Sequence, residues 1–282
     1  MIIEAFINGL LFGGVCALVA LGLNLLFGVV RIVNLAHGEI IMLGMYGVFW
    51  IYSWSKNMFL AGLVTVSSLI PFMVLIQKAV FNKLLKAPGI NQLIATGGMI
   101  LALSYGAEIV WGVDYRSIPL TFPIAQIHGV FISISRLIAF AIAMSCALLL
   151  YLFLYKTYPG MAIRAMVQDS EEAELLGIKP EKMYVLAVGI TGLLAGIAAI
   201  CLTLIYSIHP HVGGEFTLFA FLIVVLGGLG SLSGSVVGAF IISEVFTISS
   251  ILVGLEWAYV ITLIFFILIL ILKPYGLMGR GE

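Results

Sequence analysis

The chain has 282 residues, 63% of them hydrophobic and 9% charged, with thirteen basic and thirteen acidic side chains and a formal net charge of zero. Soluble domains carry about 25% charged residues, so a chain this apolar, with a mean hydropathy of +1.24, is expected to live in a lipid bilayer. The balanced charge speaks against nucleic acid and against a polybasic lipid site.

Hydrophobic blocks fall at 6–30, 35–54, 59–80, 91–111, 130–155, 183–207, 216–250 and 253–272. Most match the ~20 residues a helix needs to cross about 30 Å of hydrocarbon at 1.5 Å per residue. Continuous runs such as AYVITLIFFILILIL (258–272) lack the alternation of a membrane β-barrel. The predicted fold is an all-α polytopic integral membrane protein, one transmembrane domain over 1–282, with about eight blocks. The opening MIIEAFINGLLFGG has no positive n-region and runs on past the length of a signal peptide, so it is predicted to be the first membrane helix.

The stretch LGLNLLFGVVRIVNLAHGEIIMLG (21–44) is the first place where polar groups interrupt the apolar run. Ionisable side chains are expensive in a bilayer, by ~2.5–3.5 kcal/mol on insertion scales. Asn34 and His37 stand three apart, on one face if the segment is helical, with Gly38 beside them. Asn24, Asn34, His37 and Gly38 are candidates for lining a translocation path. The alternative is an Arg31–Glu39 pair with amide hydrogen bonds stitching a turn. Further on, Glu108 and Asp114 flank Trp111 as an interfacial set. Cys16, Cys146 and Cys201 lie in apolar segments without disulfide or zinc spacing, and no metal site is expected.

Charge is densest in YKTYPGMAIRAMVQDSEEAELLGIKPEKMYV (155–185). Pro159-Gly160 breaks the preceding helix, and 161–168 has room for two helical turns. Asp169 is a good N-cap with Glu172 three residues on, Gly177 is a natural stop, and Pro180 blocks continuation. Two short helices are predicted, with Ala173, Leu176 and Ile178 as an apolar docking face. Neither reaches the ~12–15 residues at which isolated helices become marginal in water, so packing must hold them.

His209-Pro210-His211 has Glu215 nearby but no ligand cluster, and an ordinary loop is favoured. Block 216–250 contains VVLGGLGSLSGSVVG (224–238), where Gly227, Gly228, Gly230, Gly234 and Gly238 undermine a helix. Lysines at 78, 83 and 86, the 156–182 loop, and Lys273 with Arg280 mark three cytoplasmic regions, whereas 112–129 and 208–216 face outward. Parity then requires 216–250 to return to the side it left, as two short or re-entrant segments, and puts the N-terminus outside unless 21–44 hides a similar break. Such breaks either pack helices closely or line a path, with Gly227, Gly228, Gly230, Ser231 and Gly234 as the path candidates. Glu244 is the acid farthest from any predicted loop.

No G-x-S-x-G, H-E-x-x-H or P-loop is present, so ATP, if used, is hydrolysed elsewhere. GLNLLFGVVRIVNLAHGEIIMLGMYG, KTYPGMAIRAMVQDSEEAELLGI and LGGLGSLSGSVVGAF together resemble the permease subunits of bacterial ABC importers of the branched-chain amino acid, LivH type, over nearly the whole chain. The resemblance implies a non-enzymatic permease in a bacterial or archaeal cell (inner) membrane. It also implies a second related permease, cytosolic ATP-binding subunits and an external solute-binding protein as partners. It implies no cofactor in this chain, ATP and Mg²⁺ being held by the ATPase. The ATPase contact implied is Gly160, Arg164, Ala165, Asp169, Ala173, Leu176 and Gly177 in the loop 156–182. Urea or short amides as substrate, or an ion-coupled secondary transporter, are the alternatives, the latter resting on Glu39 and Glu244.

Overall fold

In the computed structural model, which describes residues 2–85, 87–120, 123–127 and 130–279, the first block is one continuous helix, α1 (Ile2–Val30). Helices α2 (His37–Ser55), α3 (Met58–Ile76), α5 (Gly89–Trp111), α6 (Ile134–Lys156), α9 (Pro180–Thr203), α10 (Val212–Gly227), α11 (Leu232–Val253) and α12 (Leu255–Leu272) follow the predicted blocks closely. Among the described residues seven helices are long and apolar enough to cross a membrane, and α10 is a shorter apolar helix. The fold is all-α and polytopic. Lys86 and Arg280, two of the charges used for orientation, lie outside the described residues.

Helix α1 is the core. Its span is 89% buried inside the chain, against 11% for α12. It packs against α6, α9, α10 and α11, and a helix apolar all round belongs in such a position. Glycines permit the close approach: a Cβ on Gly13 would meet Phe240 of α11, and one on Gly14 would run into Phe140 of α6. The α2–α3–α9 layer uses the same device, with Gly192 against Leu69 and Ile70, and Gly196 against Val66.

Parity is resolved within 216–250. The block is two helices, but only α10, at 16 residues, is short; α11, at 22, is a full span. Gly228 and Gly230, at φ +102° and +82°, make the turn between them, a conformation that costs an L side chain strain. Gly227, Gly234 and Gly238 instead let the antiparallel pair touch, since a Cβ on Gly234 would strike the Gly227 carbonyl.

Block 21–44 also contains a break. The chain leaves α1 at Arg31, held at φ +58°, and is irregular through residue 36 before α2 begins. Asn34 is therefore not helical, and the face it was expected to share with His37 does not exist. Its Oδ1 accepts from the Ala36 N–H at 3.1 Å, a local turn that competes with helix. The Arg31–Glu39 pair is not formed either: the Arg31 guanidinium donates to the Val167 carbonyl at 3.2 Å, while Glu39 is buried on α2.

Three features went unforeseen. Helix α3 runs on through a π-helical turn, Gln77–Phe81, into α4 (Asn82–Leu84), where Gln77 Nε2 donates to Asn82 Oδ1 at 2.8 Å. Block 130–155 opens not as helix but as an antiparallel hairpin, β1 (Ile124–Ile127) with β2 (Val130–Ser133), in the register Ile124↔Ser133. At that end of the molecule Trp111 stacks on Tyr46, with centroids 4.2 Å apart, and Arg116 pairs backbone to backbone with Ile208. Trp111 is thus a packing residue as well as an interfacial one.

Gly234→Val is expected to lower thermal stability by about 1–3 kcal/mol through overpacking, measured as loss of monodisperse protein after heating in detergent. Gly106→Ala, where nothing lies within 4 Å of the added carbon, is expected to be neutral or to gain up to about 1 kcal/mol from helix propensity.

Candidate functional site

The charged loop folds as two short helices, α7 (Tyr158–Gln168) and α8 (Ser170–Leu175). Helix α7 starts earlier than predicted. The chain breaks at Thr157, whose Oγ1 accepts from the Gly160 N–H at 3.2 Å, and Pro159 sits in the first helical turn, where its missing N–H is harmless. Gly160 is the point of closest approach to α6: a Cβ there would strike the Phe153 carbonyl. Arg164 ties α7 to the end of α6, its Nε donating to the Leu154 carbonyl at 2.9 Å and its guanidinium lying 4.3 Å over the Tyr155 ring.

Asp169 caps α8 by accepting from the Glu171 and Glu172 N–H groups at 2.9 and 3.0 Å. At the other end Gly177, at φ +87°, donates to the Glu174 carbonyl and Ile178 donates to the Ala173 carbonyl. That pair of bonds is the Schellman stop. The exposed face differs from the expected one. Ala173 is buried against its own chain, and Leu175 and Leu176, 88% and 82% exposed, form the apolar tip. Ala165 is half-buried on α7.

Next to this element the α10–α11 turn meets α1. Asn24 is buried there, donating from Nδ2 to the Ser231 carbonyl at 2.8 Å and to Ser235 Oγ at 2.6 Å. Its Oδ1 accepts the Gly230 N–H at 2.7 Å. The amide is fully engaged within the chain. Several other N–H groups around the turn are engaged too: Gly228 donates to Val224 and Val225, Ser231 to Gly228 and Ser235 to Ser231, while Gly234 donates to Ser231 Oγ. Ser231 thereby caps α11. In this conformation the N–H groups of the path candidates Gly228, Gly230, Ser231 and Gly234 already have partners.

A cavity of about 930 Å³ opens between the turn and α7. It is lined by Asn24, Gly28 and Arg31 of the α1 region, by Tyr155, Arg164 and Val167, and by Gly230, Ser231 and Ser233. Met278 and Gly279 close one side. Just before them, the Leu277 and Met278 N–H groups donate to the Leu226 and Gly227 carbonyls, finishing the end of α10.

Asn34, His37 and Gly38 form a second group, around the start of α2. His37 Nε2 lies 3.1 Å from the Val19 carbonyl, and the Gly38 N–H donates to Thr217 Oγ1 of α10 at 2.9 Å. A Cβ on Gly38 would hit the Gly213 carbonyl, and one on Gly213 would meet the Glu39 carboxylate. Asn34 Nδ2, His37 Nδ1 and Glu39 Oε2 are buried without a hydrogen-bond partner among the described residues. Glu244 lies elsewhere, its carboxylate against Gly9 of α1. In the loop before α10, His211 faces Glu108 at 3.4 Å and His209 packs on Tyr115.

The candidate site residues thus divide into two groups. Sequence reasoning did not find Val167, Thr217, Gly213 or the 277–279 segment. Only the Gly213-Gly214 pair offered a signal.

Residues 5–270 match the family model described as the permease component of the branched-chain amino acid transport system. The chain belongs to this family. Over its full length it is 27% identical to the high-affinity branched-chain amino acid transport permease BraD of Pseudomonas aeruginosa, covering 99% of this chain and 96% of that protein. It is 26% identical to LivH of Escherichia coli K12, with the same coverage. A probable LivH of Methanocaldococcus jannaschii is 34% identical over 137 residues, 46% of this chain and 44% of that one. The fold is shared with a chain of PsaBC from Streptococcus pneumoniae solved in complex with Fab, at a TM-score of 0.54, 12% identity and coverage of 95% and 91%. As a member of this permease family the chain is a multi-pass transport component, not an enzyme, and the family's ABC assembly supplies its partners.

Asp169→Ala is expected to cost the α8 cap about 1 kcal/mol and to speed tryptic cleavage after Lys182, Lys179 being protected by the proline that follows it. Limited proteolysis in detergent measures this, with Glu171→Ala, which removes no cap acceptor, cutting at the native rate.

Proposed function

We propose that this chain is a membrane-spanning permease subunit of an ATP-driven importer, carrying leucine, isoleucine and valine across the cell (inner) membrane by alternating access. The observation that carries the proposal is similarity over 99% of the chain to permeases named for branched-chain amino acids. Its partners in this reading are a second homologous permease, cytosolic ATP-binding subunits that hold ATP and Mg²⁺, and an external solute-binding protein.

The α7–α8 element is the surface offered to the ATPase, on the cytoplasmic side. The positive-inside rule favours that side: Lys78, Lys83, Lys156, Arg164, Lys179, Lys182 and Lys273 flank helix ends there, against Lys56, Arg116 and Arg136 at the opposite end. By the same rule the N-terminus is outside and the C-terminus cytoplasmic. Leu175 and Leu176, exposed on a capped helix, suit a groove on a soluble partner.

Asn34, His37 and Gly38 are proposed to line the solute path when α2 and α10 part, exposing buried polar atoms that lack partners in the closed chain. Asn24 and the glycines at 227–234 border the same path at the α7 end, where they act as its hinge. A partial similarity, 39% over 114 residues, to the fructose import permease FruF of Bifidobacterium longum favours a wider solute range as the second reading.

The test is a pull-down of co-expressed ATPase, followed by vanadate-sensitive uptake of leucine and of fructose in proteoliposomes holding all subunits. Leu175→Glu/Leu176→Glu is expected to weaken ATPase capture at least about tenfold, since buried apolar anchors dominate such interfaces, and to abolish uptake. Leucine uptake that ignores vanadate and collapses with an ion gradient, or uptake of fructose alone, removes the proposal.

A further inference from the structure

Helix α7, α1 and the α10–α11 turn come together around Val167. Val167, at the last turn of α7, has one methyl 3.4 Å from where a Cβ on Gly28 of α1 would stand, and its other methyl 3.8 Å from the corresponding point on Gly230. Its carbonyl accepts from Arg31 at 3.2 Å. Gly28 and Gly230 also face one another, the Gly230 Cα lying 3.7 Å from the Cβ point of Gly28. Val167 thus sits at van der Waals distance from both glycine positions at once.

Gly230 is in turn bonded to Asn24, and Asn24 to Ser231 and Ser235 on α11. Residues more than 200 apart in sequence are thereby held by three bonds from one amide (|i−j| of 206, 207 and 211). The bonds lie beside the large cavity, so the turn has space to move into on one side. On the other side α10 and α11 are in contact through Gly227 and Gly234.

We propose that Val167 and Asn24 form a latch that carries motion of α7 into the α10–α11 turn and α1, so that both are positioning residues for transport and neither touches solute. Displacing α7 moves Val167 out of its seat between Gly28 and Gly230. The turn then follows or separates, and in either case the Gly230 N–H to Asn24 bond is the one loaded. When that bond opens, α11 is released from α1 at Ser231 and Ser235, and the cavity extends past Asn24 toward the His37 level of α1. This rests on the proposed function in taking a soluble partner as the source of the push on α7.

The test compares wild type, Val167→Ala and Asn24→Leu in the assembled complex, with two readouts. The first is hydrogen exchange of the peptide spanning 228–231, a property of the chain itself. Val167→Ala, a substitution on α7, is expected to speed exchange there, and Asn24→Leu to speed it more. The second is ATP hydrolysed per leucine imported, expected to rise about three- to tenfold in Val167→Ala, the range in which residues between coupled sites act, with ATPase capture unchanged. A merely structural contact would lower uptake and hydrolysis together at a constant ratio, and that result overturns the latch. So does exchange at 228–231 that does not respond to Val167→Ala. If wild type shows no ATP-driven leucine uptake, the functional reading fails, and the exchange measurement alone still decides the latch.

Discussion

Where a membrane chain leaves the helix, its freed N–H and C=O groups need partners within the protein because lipid cannot satisfy them, and this constraint organises the whole chain. Helix α1 ends in one such break, at residues 31–36, and α10 ends in another, at Gly228–Ser231. The chain brings the first turn of α11, the last turns of α1 and the end of α7 to one place. Asn24 supplies a donor and an acceptor to the second break, and the backbone of residues 277–278 supplies two more donors. The encirclement of α1 follows, because a helix that services other helices' breaks cannot also face lipid.

The glycines fall into two physical roles. Gly228, Gly230 and Gly177 are needed for their positive φ, and substitution there strains the backbone whatever the space. Gly13, Gly14, Gly38, Gly192, Gly196, Gly227 and Gly234 are needed for the contact they permit. Without a hydrophobic drive between helices inside lipid, association rests on such close van der Waals packing and on hydrogen bonds. The Gly38–Gly213 crossing combines both, since the Gly38 N–H reaches Thr217 only because no side chain stands between α2 and α10.

Much of this was legible in the sequence. Apolar blocks placed the helices, parity split 216–250, and the Asp169 and Gly177 signals bounded α8, since each depends on local composition or counting. What failed depended on partners distant in sequence. That the Asn24 amide is taken by Gly230, Ser231 and Ser235 could not be read locally, because those partners lie more than 200 residues away. Asn34 looked helical because the apolar pattern continues through 31–36, yet the Arg31 geometry and the Ala36 turn end the helix. Ala173 looked exposed because α8 is too short for periodicity to fix which face turns inward, and packing against its own chain chose Leu175 and Leu176 for the surface. The π-turn of α3 and the 124–133 hairpin carry no strong composition signal at all.

The irregular segment that finishes α10 bears on how the chain is made. A sixteen-residue helix is about 24 Å long at 1.5 Å per residue, less than the hydrocarbon thickness. Its last carbonyls, Leu226 and Gly227, receive the N–H groups of Leu277 and Met278. During synthesis those residues emerge after α11 and α12. The α10–α11 hairpin therefore gains these two donors only after α12 has been made. Closure of the α10 end is a late assembly event.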